Sequence, residues 1–97
     1  MWQQEGHGRW MRSSTTPDFW RAYGALSRPV QERARRAYRL WCSDPRHPSL
    51  RFKKIGDVWA VRIDPDYRAL GTMVDDVMHW FWIGNHDEYE RILNELA

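Results

Sequence analysis

The spacing of hydrophobic residues changes character midway along the chain. Between residues 17 and 43 the apolar positions recur at steps of three and four: Phe19, Tyr23 and Leu26, then Val30, Ala34, Tyr38 and Trp41. This spacing predicts two amphipathic helices, each with one buried face. Thr16-Pro17-Asp18 starts the first, with a Thr cap, Pro at the first helical position and an acid in the first turn. Ser27-Arg28-Pro29 starts the second. Asp44-Pro45 ends it, because a residue before Pro disfavours the helical region. The few residues between them predict a helical hairpin. Ala34 and Ala37 leave space for a close neighbour, while Arg33, Arg35, Arg36 and Arg39 take mainly the outer faces.

After Pro48 the period falls to two. Leu50, Phe52 and Lys54 alternate with Arg51 and Lys53, and Gly56-Asp57 turns the chain into Trp59, Val61 and Ile63. Asp64-Pro65-Asp66 turns it again into Tyr67–Thr72, and Asp75-Asp76 precedes Val77–Ile83. That last run is apolar almost throughout, as in a central strand buried on both faces. Tight turns between successive strands predict an antiparallel meander. A final helix starts near Asn85 or His86 and buries Tyr89, Ile92, Leu93 and Leu96. A short strand near Arg12 comes before the first helix. The predicted class is α+β: an N-terminal helical hairpin packed on a twisted antiparallel sheet, closed by a C-terminal helix. Residues 1–11 read as a flexible lead-in and residues 12–97 as one domain.

Charge adds a direction to this outline. Residues 1–54 carry ten Arg and two Lys against four acids, a net of +8, whereas residues 55–97 carry three Arg against nine acids, a net of −6. So sharp a split fits either a basic surface with an anionic partner or ion pairing between the halves. Thirteen Arg against two Lys favours bidentate phosphate contacts or stacking. The single Cys42 excludes an intrachain disulfide and fits a reducing compartment. No apolar run has the length of a signal peptide or a membrane span, so a soluble, cytoplasmic protein without a membrane partner is expected.

Three candidates for chemistry lie in the second half. Alternation places Arg62 opposite Trp59, Val61 and Ile63, on the open face of its strand, with Arg68 just across the Asp64–Asp66 turn. Two guanidinium groups there could clamp one phosphate, or could each pair with a nearby Asp. His86 lies where the last strand meets the last helix, a natural anion site, and histidine is the side chain best suited to take or give a proton at physiological pH. Tyr89, one turn on, either orients it or packs. Arg51, Lys53 and Lys54 form the densest basic run, either an RNA backbone rail or a charged strand edge. No two His have the spacing of a helical zinc pair, and neither a Gly-rich phosphate loop nor a Ser nucleophile motif is present. No cofactor is therefore expected. Trp80 and Trp82 share one strand face by alternation, which favours burial over base stacking.

The residues together resemble a known family. Pro48-Ser49-Leu50-Arg51-Phe52-Lys53-Lys54-Ile55, Trp59 to Arg62, Tyr67-Arg68-Ala69-Leu70-Gly71 and Ile83-Gly84-Asn85-His86-Asp87-Glu88-Tyr89 occur in the order and spacing of the RelE/ParE superfamily of bacterial toxins. The likeness covers about residues 14 to 97 and is strongest to a ParE-like branch. It implies a toxin held inactive by a cognate antitoxin. RelE-like members cleave messenger RNA on the ribosome, holding the phosphate with strand cations and moving a proton with a late His or Tyr. By position, Arg62 resembles the phosphate-holding cation, Arg68 the Arg after the turn, and His86 the acid–base group. Two departures stand out. The second strand cation of the RelE pattern is Ala60 here, and the late RelE Arg is His86. ParE-type members instead inhibit DNA gyrase without catalysis, so that target remains open, as does a non-toxic relative or an RNA-binding module.

Overall fold

The computed structural model describes residues 11–96. Helix α1 spans Pro17–Gly24 and α2 spans Arg28–Ser43. The Thr16 hydroxyl accepts from the Phe19 N–H at 3.1 Å, satisfying one of the free donors at the start of α1. Ser27 precedes α2 without a side-chain cap, so Pro at the helix start fixes its entry. Phe19, Tyr23, Val30, Ala34, Tyr38 and Trp41 are all buried, as their spacing requires, and Ala37 and Cys42 join them. The expected lead-in falls outside the described residues except for Met11, whose N–H donates to the Cys42 carbonyl at 3.0 Å.

Five strands form one sheet in the order β1-β5-β4-β3-β2. They are β1 (Arg12–Thr15), β2 (Lys53–Ile55), β3 (Val58–Asp64), β4 (Tyr67–Val74) and β5 (Val77–Asn85). Strands β2 to β5 make the expected antiparallel meander. The short first strand then adds to β5 in parallel, which makes the sheet mixed. The middle strand is β4, and β5 is interior between β1 and β4. Helix α3, His86–Leu96, closes the chain.

Two local departures follow from specific residues. The strand expected from Leu50 begins only at Lys53, because Pro48–Leu50 forms a 3₁₀ turn. The His47 ring nitrogen Nδ1 accepts from the Ser49 N–H at 3.2 Å, and Arg51 ends the turn in the left-handed region at φ 44°. The second departure is a bulge in β5. Leu70 pairs with Trp82 but Gly71 pairs with Trp80, so Phe81 is the extra residue. Trp80 and Trp82 therefore lie on opposite faces of the sheet, not the same one.

Both faces are covered. Against α1 and α2 lies the larger core, where Trp41 meets Trp80 edge-on at 5.2 Å and Phe52 at 5.7 Å, and Phe52 stacks on Trp59 at 4.6 Å. The other face carries a smaller cluster of Val58, Ala60, Leu70 and Tyr89, flanked by Trp82, Ile92 and Leu93. Leu96, expected in that cluster, is 57% exposed at the end of α3. The face reached by Arg62 is thus not open: α3 covers part of it and leaves a cleft beside its first turn. No described helix is long and apolar enough to cross a membrane.

Candidate functional site

The cleft beside the start of α3 holds about 180 Å³ and is lined by Arg51, Lys53, Ala60, Arg62, Arg68, His86, Tyr89 and Glu90, with Val61 behind. All but one of the candidate residues converge here, from the 3₁₀ turn, three strands and α3. The exception is Lys54. Its cross-strand partner is Trp59, which puts it on the α2 side, whereas Lys53 pairs with Ala60 on the α3 side.

Arg62 and Arg68 are direct cross-strand partners, immediately before the bulge at Ile63. Like charges so placed repel each other. Among the described residues neither forms an ion pair with a carboxylate. The Asp64 carboxylate is taken instead by Arg33 at 3.3 Å and by the Asp66 N–H at 2.8 Å. Arg68 is held through Nη1, which donates to the Asp64 carbonyl at 2.7 Å and the Tyr67 carbonyl at 2.9 Å. Its guanidinium carbon lies 5.9 Å from the Tyr89 ring centroid. Arg62 Nη1 donates weakly, at 3.4 Å, to the Ser49 carbonyl. Both side chains are positioned mainly by neutral groups and keep their charge for an outside anion.

Burial lowers the Arg68 pKa from its usual value, and the neighbouring Arg62 pushes it the same way. That direction marks a cation in need of negative charge, and at its intrinsic basicity Arg68 remains protonated. Burial raises the Tyr89 phenol above its ordinary value; Arg68 opposes the shift and Glu90 adds to it. Tyr89 therefore stays a neutral hydroxyl at physiological pH.

His86 is the first residue of α3. Its N–H donates to the Asp66 carbonyl at 2.8 Å, tying the helix start to the β3–β4 turn. The Asn85 side chain caps the helix by accepting from the Glu88 N–H at 2.8 Å. The imidazole packs at 5.4 Å from the Tyr89 ring, with Nε2 at 3.9 Å from a Glu90 oxygen. Glu90 was not evident as a candidate, although its four-residue step from His86 on a helix is a readable signal. Four cations and an imidazole thus face one carboxylate in this cleft.

The pairing of Lys53 with Ala60 bears on the missing strand cation. Directly opposite residues on one face have Cβ atoms about 4.5–5.5 Å apart, so Lys53 brings an ammonium to the neighbourhood that Ala60 leaves uncharged. Its stem reaches the cleft from the adjoining strand. Among the described residues no three of His, Cys, Asp or Glu converge as a metal site would require.

Comparison with solved structures finds the same fold in several toxins. YafQ from E. coli strain BL21(DE3) aligns with a TM-score of 0.66 at 8% identity, over 79% of this chain and 94% of that one. A doubly substituted mutant of the E. coli toxin RelE in the free state aligns at 0.62 and 13% identity, covering 91% and 99%. The RelB–RelE antitoxin–toxin complex from Methanococcus jannaschii aligns at 0.60 and 12% identity, covering 80% and 95%. Comparison with curated proteins finds no match. The model of the ParE-like toxin domain matches residues 28–91, a span that runs from the start of α2 through the cleft to the middle of α3. The chain belongs to the ParE-like toxin domain family.

Proposed function

We propose that the protein is the toxin of a type II toxin–antitoxin module and cleaves messenger RNA on the ribosome, restrained by a cognate antitoxin in the cytoplasm. One observation carries the ribonuclease reading: Arg62 and Arg68 oppose each other across two strands, held by carbonyls, beside His86. Such a pair is electrostatically unfavourable until an anion enters. A phosphodiester supplies that anion and presents a nonbridging oxygen to each guanidinium.

In the corresponding reaction the 2′-hydroxyl of the ribose loses its proton to a base, and its oxygen attacks the adjacent phosphorus. The bond to the 5′-oxygen breaks, that oxygen takes a proton, and a 2′,3′-cyclic phosphate and a 5′-hydroxyl result. His86 has the chemistry for one of the two proton transfers, with Glu90 3.9 Å from its Nε2. Arg62 and Arg68 stabilise the charge that builds on the phosphoryl oxygens, and Arg51 and Lys53 hold the flanking backbone. The neutral Tyr89 hydroxyl is a hydrogen-bond donor at the same cleft. The solved RelB–RelE complexes support an antitoxin as the partner of this fold.

A second reading is favoured by one residue. Ala60 stands where the RelE pattern has a cation, and a ParE-type inhibitor of DNA gyrase needs no such group. Inducible expression in bacteria separates the two, with growth and transcript 5′ ends followed together in wild type and His86→Ala. The ribonuclease reading expects arrest with new cuts in reading frames, both lost in the variant. Arrest with intact transcripts and a DNA-damage response would move the target to gyrase.

A further inference from the structure

A second groove adjoins the reaction cleft and shares Arg62 with it. It holds about 260 Å³ between α2 and the 3₁₀ turn. One wall is the α2 stripe Arg33, Arg36, Ala37 and Leu40, whose steps of three and four put them on one helix face. Ile63 adds apolar surface to the opposite side, with the buried Leu50 behind it. The charges in it are not equivalent. Arg33 is engaged by Asp64, while among the described residues Arg36 makes no ion pair or hydrogen bond. Arg36, on α2, and Arg62, on β3, are therefore the two cations of the groove available to an incoming anion.

We propose that this groove carries the substrate RNA strand away from the cleaved phosphate, with Arg36 and Arg62 holding the backbone while a sugar or base lies on Leu40 and Ile63. The inference rests on the ribonuclease reading above. Continuity through Arg62 favours the substrate strand, since a chain bound at Arg62 in one cleft passes directly into the other. The weak bond from Arg62 to the Ser49 carbonyl, at the lip between them, lets one guanidinium serve both.

The test is binding of 2′-O-methyl RNA, which resists attack by its own 2′-oxygen, to the intact protein at several salt concentrations. A three-nucleotide and a ten-nucleotide oligomer are compared in wild type, Arg36→Ala, Arg36→Lys and Arg39→Ala. Arg36 and Arg39 are both exposed, so their replacement leaves the core intact, and Arg39 lies outside the groove. The longer oligomer is expected to bind wild type more tightly and with a steeper salt dependence. Arg36→Ala should lower that slope by about 0.7, the share of one single-strand phosphate contact, without changing the short oligomer. Arg36→Lys should restore the slope, and Arg39→Ala should match wild type. Equal slopes for wild type and Arg36→Ala on the long oligomer would overturn the groove but leave the reaction cleft standing. Failure of the wild type to bind the longer oligomer more tightly than the shorter would likewise overturn the groove, while the ribonuclease reading stands or falls by cleavage on the ribosome.

Discussion

The two faces of the sheet are built for different ends. Under α1 and α2 the face is built of large rings, with Trp41 meeting Trp80 and Phe52, Phe52 on Trp59, and Phe19 against Trp20 and Tyr23, and almost no charge. Under α3 the core is four buried residues, two of them Ala60 and Leu70, and it gives way within one turn to a cationic cleft. The first face can bury enough apolar area to hold a small domain together. The second then tolerates Arg62 opposite Arg68, an arrangement that costs stability and gains an anion site. Stability and chemistry occupy opposite sides of the same strands.

That contrast can be broken or sharpened by substitution. Trp41→Ala should have the largest effect, removing about 3–5 kcal/mol of unfolding free energy in a denaturant titration. A loss below about 1 kcal/mol would deny that the aromatic face dominates stability. Gly71→Ala comes next, because a methyl there would sit 2.7 Å from Met78 Sδ and 2.9 Å from Trp80 Cε3. Overpacking of this kind costs about 1–3 kcal/mol, read in the same titration. Alkaline pH should also act on this face. Burial raises the pKa values of Tyr38 and Cys42 above the ordinary 10.0 and 9.0 of these groups. The unfolded chain therefore ionises first, so stability is retained below about pH 9 and falls as pH climbs beyond it. A melting temperature that holds steady from pH 8 to 11 would contradict this.

Substitutions in the cleft should hardly touch folding. Arg62→Ala relieves a like-charge contact and should change unfolding free energy by about 0.5 kcal/mol or less, while abolishing growth arrest on induction. Arg51→Gly should do the same through the backbone. Arg51 holds φ 44°, a conformation glycine adopts freely, so the variant should be as stable as wild type or about 1 kcal/mol more so, yet less active. Substantial unfolding of either variant would mean that the cleft is structural.

Much of this was legible in the chain. The three- and four-residue steps fixed the buried faces of α1 and α2, and alternation put Arg62 opposite Trp59 and Val61. The closeness of Arg62 to Arg68 was readable from the short turn between their strands, whereas the joining of Arg51 and Lys53 to them in one cleft was not. What was hidden depended on breaks in period. A bulge at Phe81 separates Trp80 from Trp82, and no residue there announces it. The 3₁₀ turn at Pro48 rests on a His47 side-chain bond, and it delays the strand expected from Leu50 until Lys53. The groove along α2 depends on Asp64 choosing Arg33, a tertiary contact across 31 residues.

The most direct test of the cleft as the seat of the chemistry is a single-turnover assay with purified protein on ribosomes carrying a labelled messenger. Wild type and His86→Ala would be compared, with both shown to be folded. Loss of cleavage by about a hundredfold or more is predicted, the share expected of a positioned proton-transfer group. Cleavage by the variant within about twofold of wild type would contradict the account.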